Sequence, residues 1–268
     1  MFKYAIVPVL LVLPAARGLG QSAADTRWIA QCRDYDDGWR VAHCEVRVTT
    51  VASAGTIGID PGENGGVNVE GWERDSVEVH ARIQTHGATD DEAARIASEI
   101  RIVTSGGRIG VEGPSTTRKK DWGVSFVVYA PHRSNLKVDT YNGPIGVREV
   151  KGRMALTAYN GPVSLDGVGG DVHAQTTNGP LDVELTGARW DGEGLDAETT
   201  NGPVDLAIPE SYSARLEFGT VNGPFNLGFP LTVTILAQKG RRFTATLGAG
   251  GALVRVVTTN GPADIRRN

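Results

Sequence analysis

Aromatic side chains are scarce in this sequence, 6% of 268 residues, while glycine is abundant at 35. That balance disfavours a thick helical core and suits short strands joined by many turns. Cations are in deficit too, 27 Lys and Arg against 31 Asp and Glu, for a net charge of −4. No basic stripe runs through the chain, which argues against a nucleic-acid partner. Past the first residues no apolar run reaches the length needed to cross a bilayer as a helix. The familiar catalytic motifs are also missing. There is no His-Glu-x-x-His, no Cys/His metal spacing, no Gly-x-Ser-x-Gly elbow and no Gly-x-x-x-x-Gly-Lys-Ser/Thr phosphate loop. Gly106, Gly107 and Gly110 precede a strand pattern rather than a helix, a poor match to a dinucleotide loop. The five histidines (His43, His80, His86, His132, His173) do not cluster in sequence and read as surface or half-buried residues.

Residues 1–20 read as an export signal: Lys3 supplies the positive end, and Ala5 to Leu13 form a short apolar run. Gly18 and Gly20 are the small residues expected before cleavage at Gln21. Removing this segment takes Lys3 and Arg17 with it and deepens the net charge from −4 to −6. The only cysteines, Cys32 and Cys44, follow closely. In an exported chain they most simply form one disulfide, worth about 3 kcal/mol by loop entropy. A metal pair or a redox pair fits their spacing less well. Residues 21–44 thus read as a disulfide-tied N-terminal cap, anchored by Trp28 and Trp39.

Strand patterns begin at Glu45, and residues 45–133 form an N-terminal β region. Gly62 to Val69 and Ser105 to Val111 are weak echoes of a repeat that dominates later. One helix interrupts, over 89–100. Thr89 and Glu92 make a capping box, and Ala93, Ile96, Ala97 and Ile100 mark one apolar face. Thr117 to Asp121 reads as a solvated hairpin tip.

Residues 134–268 carry the dominant signal. Asn-Gly-Pro recurs six times, at Asn142, Asn160, Asn178, Asn201, Asn222 and Asn260, at intervals of 18, 18, 23, 21 and 38. Aligned on those asparagines, the positions six and four before, and three and five after, are apolar in every repeat. Positions between them are mostly polar, which is period-two alternation on both sides of a fixed corner. One such unit cannot bury its own apolar face, whereas a stack of them can. The chain is therefore expected to be all-β, a parallel β-solenoid (β-helix-like) with one short amphipathic helix in its N-terminal part. Asn and Gly tolerate turn dihedrals, and the residue before proline is pushed out of the α region. The long interval before Asn260 reads as one coil turned into a hairpin, followed by a last regular coil.

The run Gly248-Ala249-Gly250-Gly251-Ala252-Leu253, followed by Val256 to Ile265 around Asn260-Gly261-Pro262, resembles the closing signature of a bacterial putative-adhesin family of unknown function. The Asn-Gly-Pro repeats, the hairpin coil and the early cysteine pair are similar too, so the resemblance spans roughly residues 45 to 268. It implies an exported or envelope-associated β-strand-repeat solenoid, with no catalytic residues and no cofactor.

Three columns at and beside the corner bear on function. The asparagines themselves are structural corners whose amides can bond along the stack. Two residues after each proline stand Gly146, Ser164, Asp182, Asp205, Asn226 and Asp264; Asp182 and Asp205 could share a cation, or simply form a solvated acidic face. Immediately before each asparagine stand Tyr141, Tyr159, Thr177, Thr200, Val221 and Thr259. Tyr141, Tyr159, Thr177 and Thr200 are the candidate binding residues, although cross-strand pairing alone accounts for the same column. The reading is a non-catalytic periplasmic or cell-surface module. It would serve as envelope scaffold or adhesion module, presenting a face to glycan, cell-wall polymer or an envelope protein. A polysaccharide lyase or hydrolase on a β-helix scaffold, using Asp182 and Asp205, is the alternative, and self-assembly through the solenoid ends is the third.

Overall fold

The computed structural model describes residues 22–33, 40–117, 121–228, 234–239 and 241–268, with the backbone alone for 234–239. The expected export signal, Trp39, most of the Thr117–Asp121 tip and part of the late hairpin lie outside the described residues.

The chain opens with α1 (Ala23–Arg33), β1 (Val41–Ala52), β2 (Thr56–Asp60), β3 (Val67–Trp72) and β4 (Ser76–Gly87). Next come α2 (Asp90–Glu99), β5 (Arg101–Ser105), β6 (Arg108–Glu112) and β7 (Asp121–Pro131). Four coils follow as strand pairs. They are β8 (Asn135–Asn142) with β9 (Ile145–Arg148), β10 (Lys151–Asn160) with β11 (Val163–Asp166), β12 (Gly169–Asn178) with β13 (Leu181–Glu184), and β14 (Gly194–Asn201) with β15 (Val204–Ile208). The chain ends with β16 (Ala214–Asn222), β17 (Phe225–Leu227), the hairpin β18 (Thr234–Lys239) and β19 (Arg241–Leu247), then β20 (Leu253–Asn260) and β21 (Ala263–Arg267).

These strands build two long sheets. One runs β1-β4-β7-β3-β9-β11-β13-β15-β21-β17, the other β18-β19-β16-β20-β14-β12-β10-β8-β2-β6-β5. Repeat strands pair parallel and in register, as for Met154↔Val172 and Val163↔Leu181. The ends do not. β1–β4, β4–β7, β5–β6, β16–β19 and β18–β19 are antiparallel, so the sheets are mixed and the expectation of a wholly parallel array is corrected. A sheet edge invites further pairing, and here both ends of the array carry local hairpins.

The four apolar columns face inward between the sheets. All of their members are buried except Phe225, half-buried, and Leu227, 43% exposed, both on the edge strand β17. The first echo is a true coil: Val67 and Val69 lie beside Ile145 and Val147. The second supplies β6, which joins β2 in parallel.

Two helices are present among the described residues, not one. α2 begins as expected: Thr89 Oγ1 accepts from the Glu92 amide at 3.2 Å, and its face of Ala93, Ile96 and Ala97 is buried. Thr85 donates to the Ala93 carbonyl at 2.7 Å, tying α2 to β4. α1 was not anticipated. Its signal was Ser22-Ala-Ala-Asp25, a capping box in which Ser22 Oγ accepts from the Asp25 amide (3.1 Å) and Asp25 accepts from the Ser22 amide (3.2 Å). Cys32, near the end of α1, is disulfide-bonded to Cys44 on β1.

The order of the stack differs from the order of the chain. β20 pairs with β14 on one side and β16 on the other, and β21 lies between β15 and β17. The last repeat is thus inserted between the fourth and fifth. One charged column explains why. Stacked in chain order, Glu217 would face Asp196, a like-charge pair. Insertion places Arg255 between them: its guanidinium bonds Asp196, reaches Glu198 at 3.0 Å and Glu217 at 3.5 Å.

The inserted coil buries Val254, Val256, Val257, Ala263 and Ile265. At roughly 1.5–3 kcal/mol per buried aliphatic side chain, its removal costs an amount comparable to the stability of a whole domain. Deleting residues 253–268 is therefore expected to abolish the cooperative thermal transition rather than trim an end. A deletion variant that melts like the full chain would contradict this topology.

Candidate functional site

The corner is built from backbone necessity. Five of the six Asn-Gly-Pro glycines, all but Gly223 on the edge coil, donate their amide to the asparagine carbonyl of a neighbouring coil, for example Gly161 to Asn178 and Gly179 to Asn201, both at 3.0 Å. A Cβ on Gly161, Gly179 or Gly202 would overlap the carbonyl oxygen of the glycine on the adjacent coil. Those three glycines are not in the left-handed region. Close approach, rather than an unusual dihedral, therefore explains the invariant glycine within the repeat.

Proline creates the next requirement. Having no N–H, it cannot satisfy the preceding glycine carbonyl of the adjacent coil, and a buried orphan carbonyl is costly. A threonine two residues before the asparagine supplies the missing donor. Thr176 donates to Gly161, Thr199 to Gly179, Thr258 to Gly202 and Thr220 to Gly261, each at 2.8 Å. Ala158 breaks the column, and Thr140 compensates by bonding Gly143 of its own coil at 3.0 Å. The sequence reading missed these threonines, although five of six repeats carry one at that position.

The asparagines form a continuous amide ladder in stack order. Asn222 donates to Asn260, Asn260 to Asn201, Asn201 to Asn178, Asn178 to Asn160, Asn160 to Asn142, and Asn142 to Asn64, at 2.9–3.1 Å.

Beside the ladder runs the column of candidate binding residues, ordered in space Tyr141, Tyr159, Thr177, Thr200, Thr259, Val221. Tyr141 and Tyr159 stack with ring centroids 5.0 Å apart and planes 3° from parallel, and remain 53% and 46% exposed. Thr177 is half-buried and Thr200 exposed. Strand alternation puts residues 155, 157 and 159 on one face, so this ledge borders a shallow depression of about 210 Å³ lined by Ala155, Thr157, His173, Gln175, Asp196 and Glu198.

The opposite outer face is acidic. Insertion of the last coil sets Asp264 beside Asp205, which is itself beside Asp182. Burial, and then the neighbouring carboxylate, push the Asp182 and Asp205 carboxyls above their ordinary range, with Arg266 opposing. Among the described residues no group of three or more His, Cys, Asp or Glu is placed to hold a metal ion.

A buried polar cluster fixes α1. Asp25 is fully buried, His80 nearly so, and His80 Nδ1 lies 2.5 Å from Asp25 while Nε2 lies 2.9 Å from Glu78. Arg82 Nε donates to Asp25 at 3.0 Å. Burial pushes the Asp25 carboxyl up, but hydrogen bonds from Ser22, His80 and Arg82 outweigh it and hold the group below its ordinary value. The expectation that every histidine is exposed or half-buried is corrected at His80, which α1 covers.

The sequence profile of the Toastrack DUF4097 family matches residues 97–266, which include all six Asn-Gly-Pro corners and both ledge tyrosines. The chain belongs to the Toastrack DUF4097 family. The family match confirms the resemblance drawn from the closing signature. No curated protein matches the chain significantly. Among solved structures, the Toastrack chain is similar to a "putative cell adhesion protein" from Clostridium sporogenes, with 10% identity, TM-score 0.47, and coverage of 84% of this chain and 100% of that one. It is also similar to a "putative adhesin" from Parabacteroides merdae (11%, TM-score 0.34, 84% and 92%). A third is a "putative lipid binding protein" from Parabacteroides distasonis (6%, TM-score 0.27, 82% and 96%). No helix among the described residues of this Toastrack protein is long and apolar enough to cross a membrane.

Two consequences can be measured. Thr199→Val keeps the shape but strips the donor from the Gly179 carbonyl, and is expected to cost about 1–3 kcal/mol in denaturant unfolding; an unchanged midpoint would show the carbonyl is satisfied otherwise. Asp205→Asn relieves the carboxylate row. A carboxyl whose folded pKa is raised binds more protons folded than unfolded, so it penalises stability above that pKa. The variant should therefore gain up to about 1 kcal/mol at pH 7, limited by solvent screening. The gain should vanish as pH falls to the ordinary carboxylate range, and a gain independent of pH would refute the charge argument.

Proposed function

We propose that this Toastrack protein is a non-catalytic binding module, exported to the periplasm or cell surface, that holds an extended glycan or cell-wall polymer along its corner ledge. The observation that carries this reading is the exposed, parallel Tyr141–Tyr159 stack continued by Thr177, Thr200 and Thr259. Tyrosine combines a flat apolar ring with a polar tip, which suits the C–H faces and hydroxyls of sugar rings. Coils spaced about 4.8 Å apart repeat this surface along the stack, favouring a linear partner over a compact one. An envelope protein laid along the same ledge is the other partner consistent with it.

The alternative, a polysaccharide lyase or hydrolase, draws on the Asp182–Asp205–Asp264 row and on Arg266, close enough to lower both shifted carboxyls. Asp182 is exposed and the other two are half-buried on an outer sheet face. Water exclusion of the kind that sharpens acid–base chemistry is absent there.

The test is retention on insoluble glycan and peptidoglycan. Wild type is expected to be retained and Tyr141→Ala/Tyr159→Ala to lose at least about tenfold in affinity, the equivalent of 1.4 kcal/mol. Equal retention of the two would remove the ledge from consideration.

A further inference from the structure

Asparagine is chemically vulnerable when glycine follows it. Glycine has no Cβ to shield its amide nitrogen, which can attack the asparagine side chain just before it. The chain carries seven Asn-Gly dipeptides, the six corners and Asn64-Gly65. Reaction needs a free glycine N–H and a free asparagine side chain, and the stack ties down both in nearly every case. Gly65, Gly143, Gly161, Gly179, Gly202 and Gly261 each donate their N–H to the asparagine carbonyl of an adjacent coil at 3.0–3.1 Å. Asn142, Asn160, Asn178, Asn201 and Asn260 each donate from Nδ2 and accept at Oδ1. Asn64 accepts at Oδ1 from Asn142.

Asn222 is the exception. It stands at the outer end of the ladder, where its Nδ2 donates to Asn260 but its Oδ1 accepts from no described residue. The Gly223 N–H meets no described carbonyl. β17 is the edge of its sheet, and the pairing of β19 with β16 ends at Thr220↔Arg241, short of the corner. Asn222 is also exposed to water. The attacking group is the deprotonated Gly223 nitrogen, whose charge spreads onto the Asn222 carbonyl oxygen. That oxygen accepts the Gly261 N–H at 3.1 Å. Arg241 donates to the Gly223 carbonyl, which sets a cation beside the developing anion. At no other corner among the described residues does a guanidinium bond the glycine carbonyl.

We propose that Asn222 is a deamidation site, the one corner at which the folded chain modifies itself, and that its conversion loosens the end coil. The Gly223 nitrogen gives its proton to water and bonds to Asn222 Cγ. The Cγ–Nδ2 bond breaks, and Nδ2 leaves as ammonia with a proton from water. Water then adds to either carbonyl of the succinimide, opening it to aspartate or isoaspartate. Either product loses the Nδ2 donor that Asn260 accepts at 2.9 Å and gains a carboxylate, which only accepts. The assignment holds whatever the ledge binds.

The full chain would be aged at mildly alkaline pH and physiological temperature, with every Asn-Gly followed by peptide mapping. Asn222 is expected to convert at least about tenfold faster than any other, because the remaining glycines react only after their coil opens. In denaturant the six corners should convert at similar rates. Converted chains, separated by ion exchange, should show faster amide exchange in β16 and unchanged exchange in β12. Conversion of Asn222 no faster than that of Asn178 or Asn201 in the folded chain would overturn the site. The same lead persisting in denaturant would overturn it too, by tracing the preference to local sequence. Amide exchange in β16 that conversion leaves unchanged would refute the loosening of the end coil.

Discussion

The contact on which the rest depends is the approach of one corner glycine to the next. Where Gly179 lies against the Gly161 carbonyl and Gly202 against that of Gly179, no side chain of any size fits. Proline then removes the donor that would have met each carbonyl, and the buried threonine hydroxyl restores it. Three residue types are locked together by one backbone geometry. Because these bonds cross between coils, they also set register: a coil displaced by one residue would turn its apolar columns outward and leave a carbonyl orphaned. Four buried apolar columns can then run unbroken through the stack.

Register alone does not choose neighbours, since identical corners fit one another in any order. Side chains on the outer face make that choice. Arg255 between Asp196 and Glu217 turns a like-charge contact into an ion-paired one, and it favours placing the last-made coil inside the stack. The consequence is thermodynamic: the fifth coil and its hairpin connect to the remainder of their sheet through the C-terminal strands. It also has a local cost, because the same insertion sets Asp264 against Asp205 on the opposite face, where burial and then the Asp264 carboxylate push the Asp205 carboxyl up.

The corner leaves its neighbours free to vary, and the candidate site lies in those neighbours. Tyr141 and Tyr159 occupy outward positions that contribute nothing to the buried columns, yet the register of the coils brings their rings parallel at 5.0 Å. The ladder that aligns them ends at Asn64, where longer strands and a helix held by buried Asp25 build a concave wall. A flat face and a groove thus arise from one device, a repeat that continues and then meets strands of a different length.

Much of this was legible in the chain itself. Spacing gave the coils, alternation gave the buried columns, Thr89 and Glu92 gave α2, and the column before each asparagine gave the ledge. These are local or periodic properties, carried by identity and interval, and periodicity survives without knowledge of what lies next to what. Some misses were local signals overlooked: Ser22 with Asp25 for α1, and the threonine column for the corner carbonyls. Others were beyond any local pattern. That β20 enters between β14 and β16 depends on which of several compatible edges meets it, a choice made by Arg255 across 59 residues from Asp196. That Asp25 on α1 meets His80 on β4, or that Asn64 lines one groove with Trp28 and Gln84, depends on contacts between segments with no shared period. Sequence by itself determined the unit and its faces, because each is written within one repeat; tertiary structure decided the order, the ends and the groove, because those are set by pairings between distant segments.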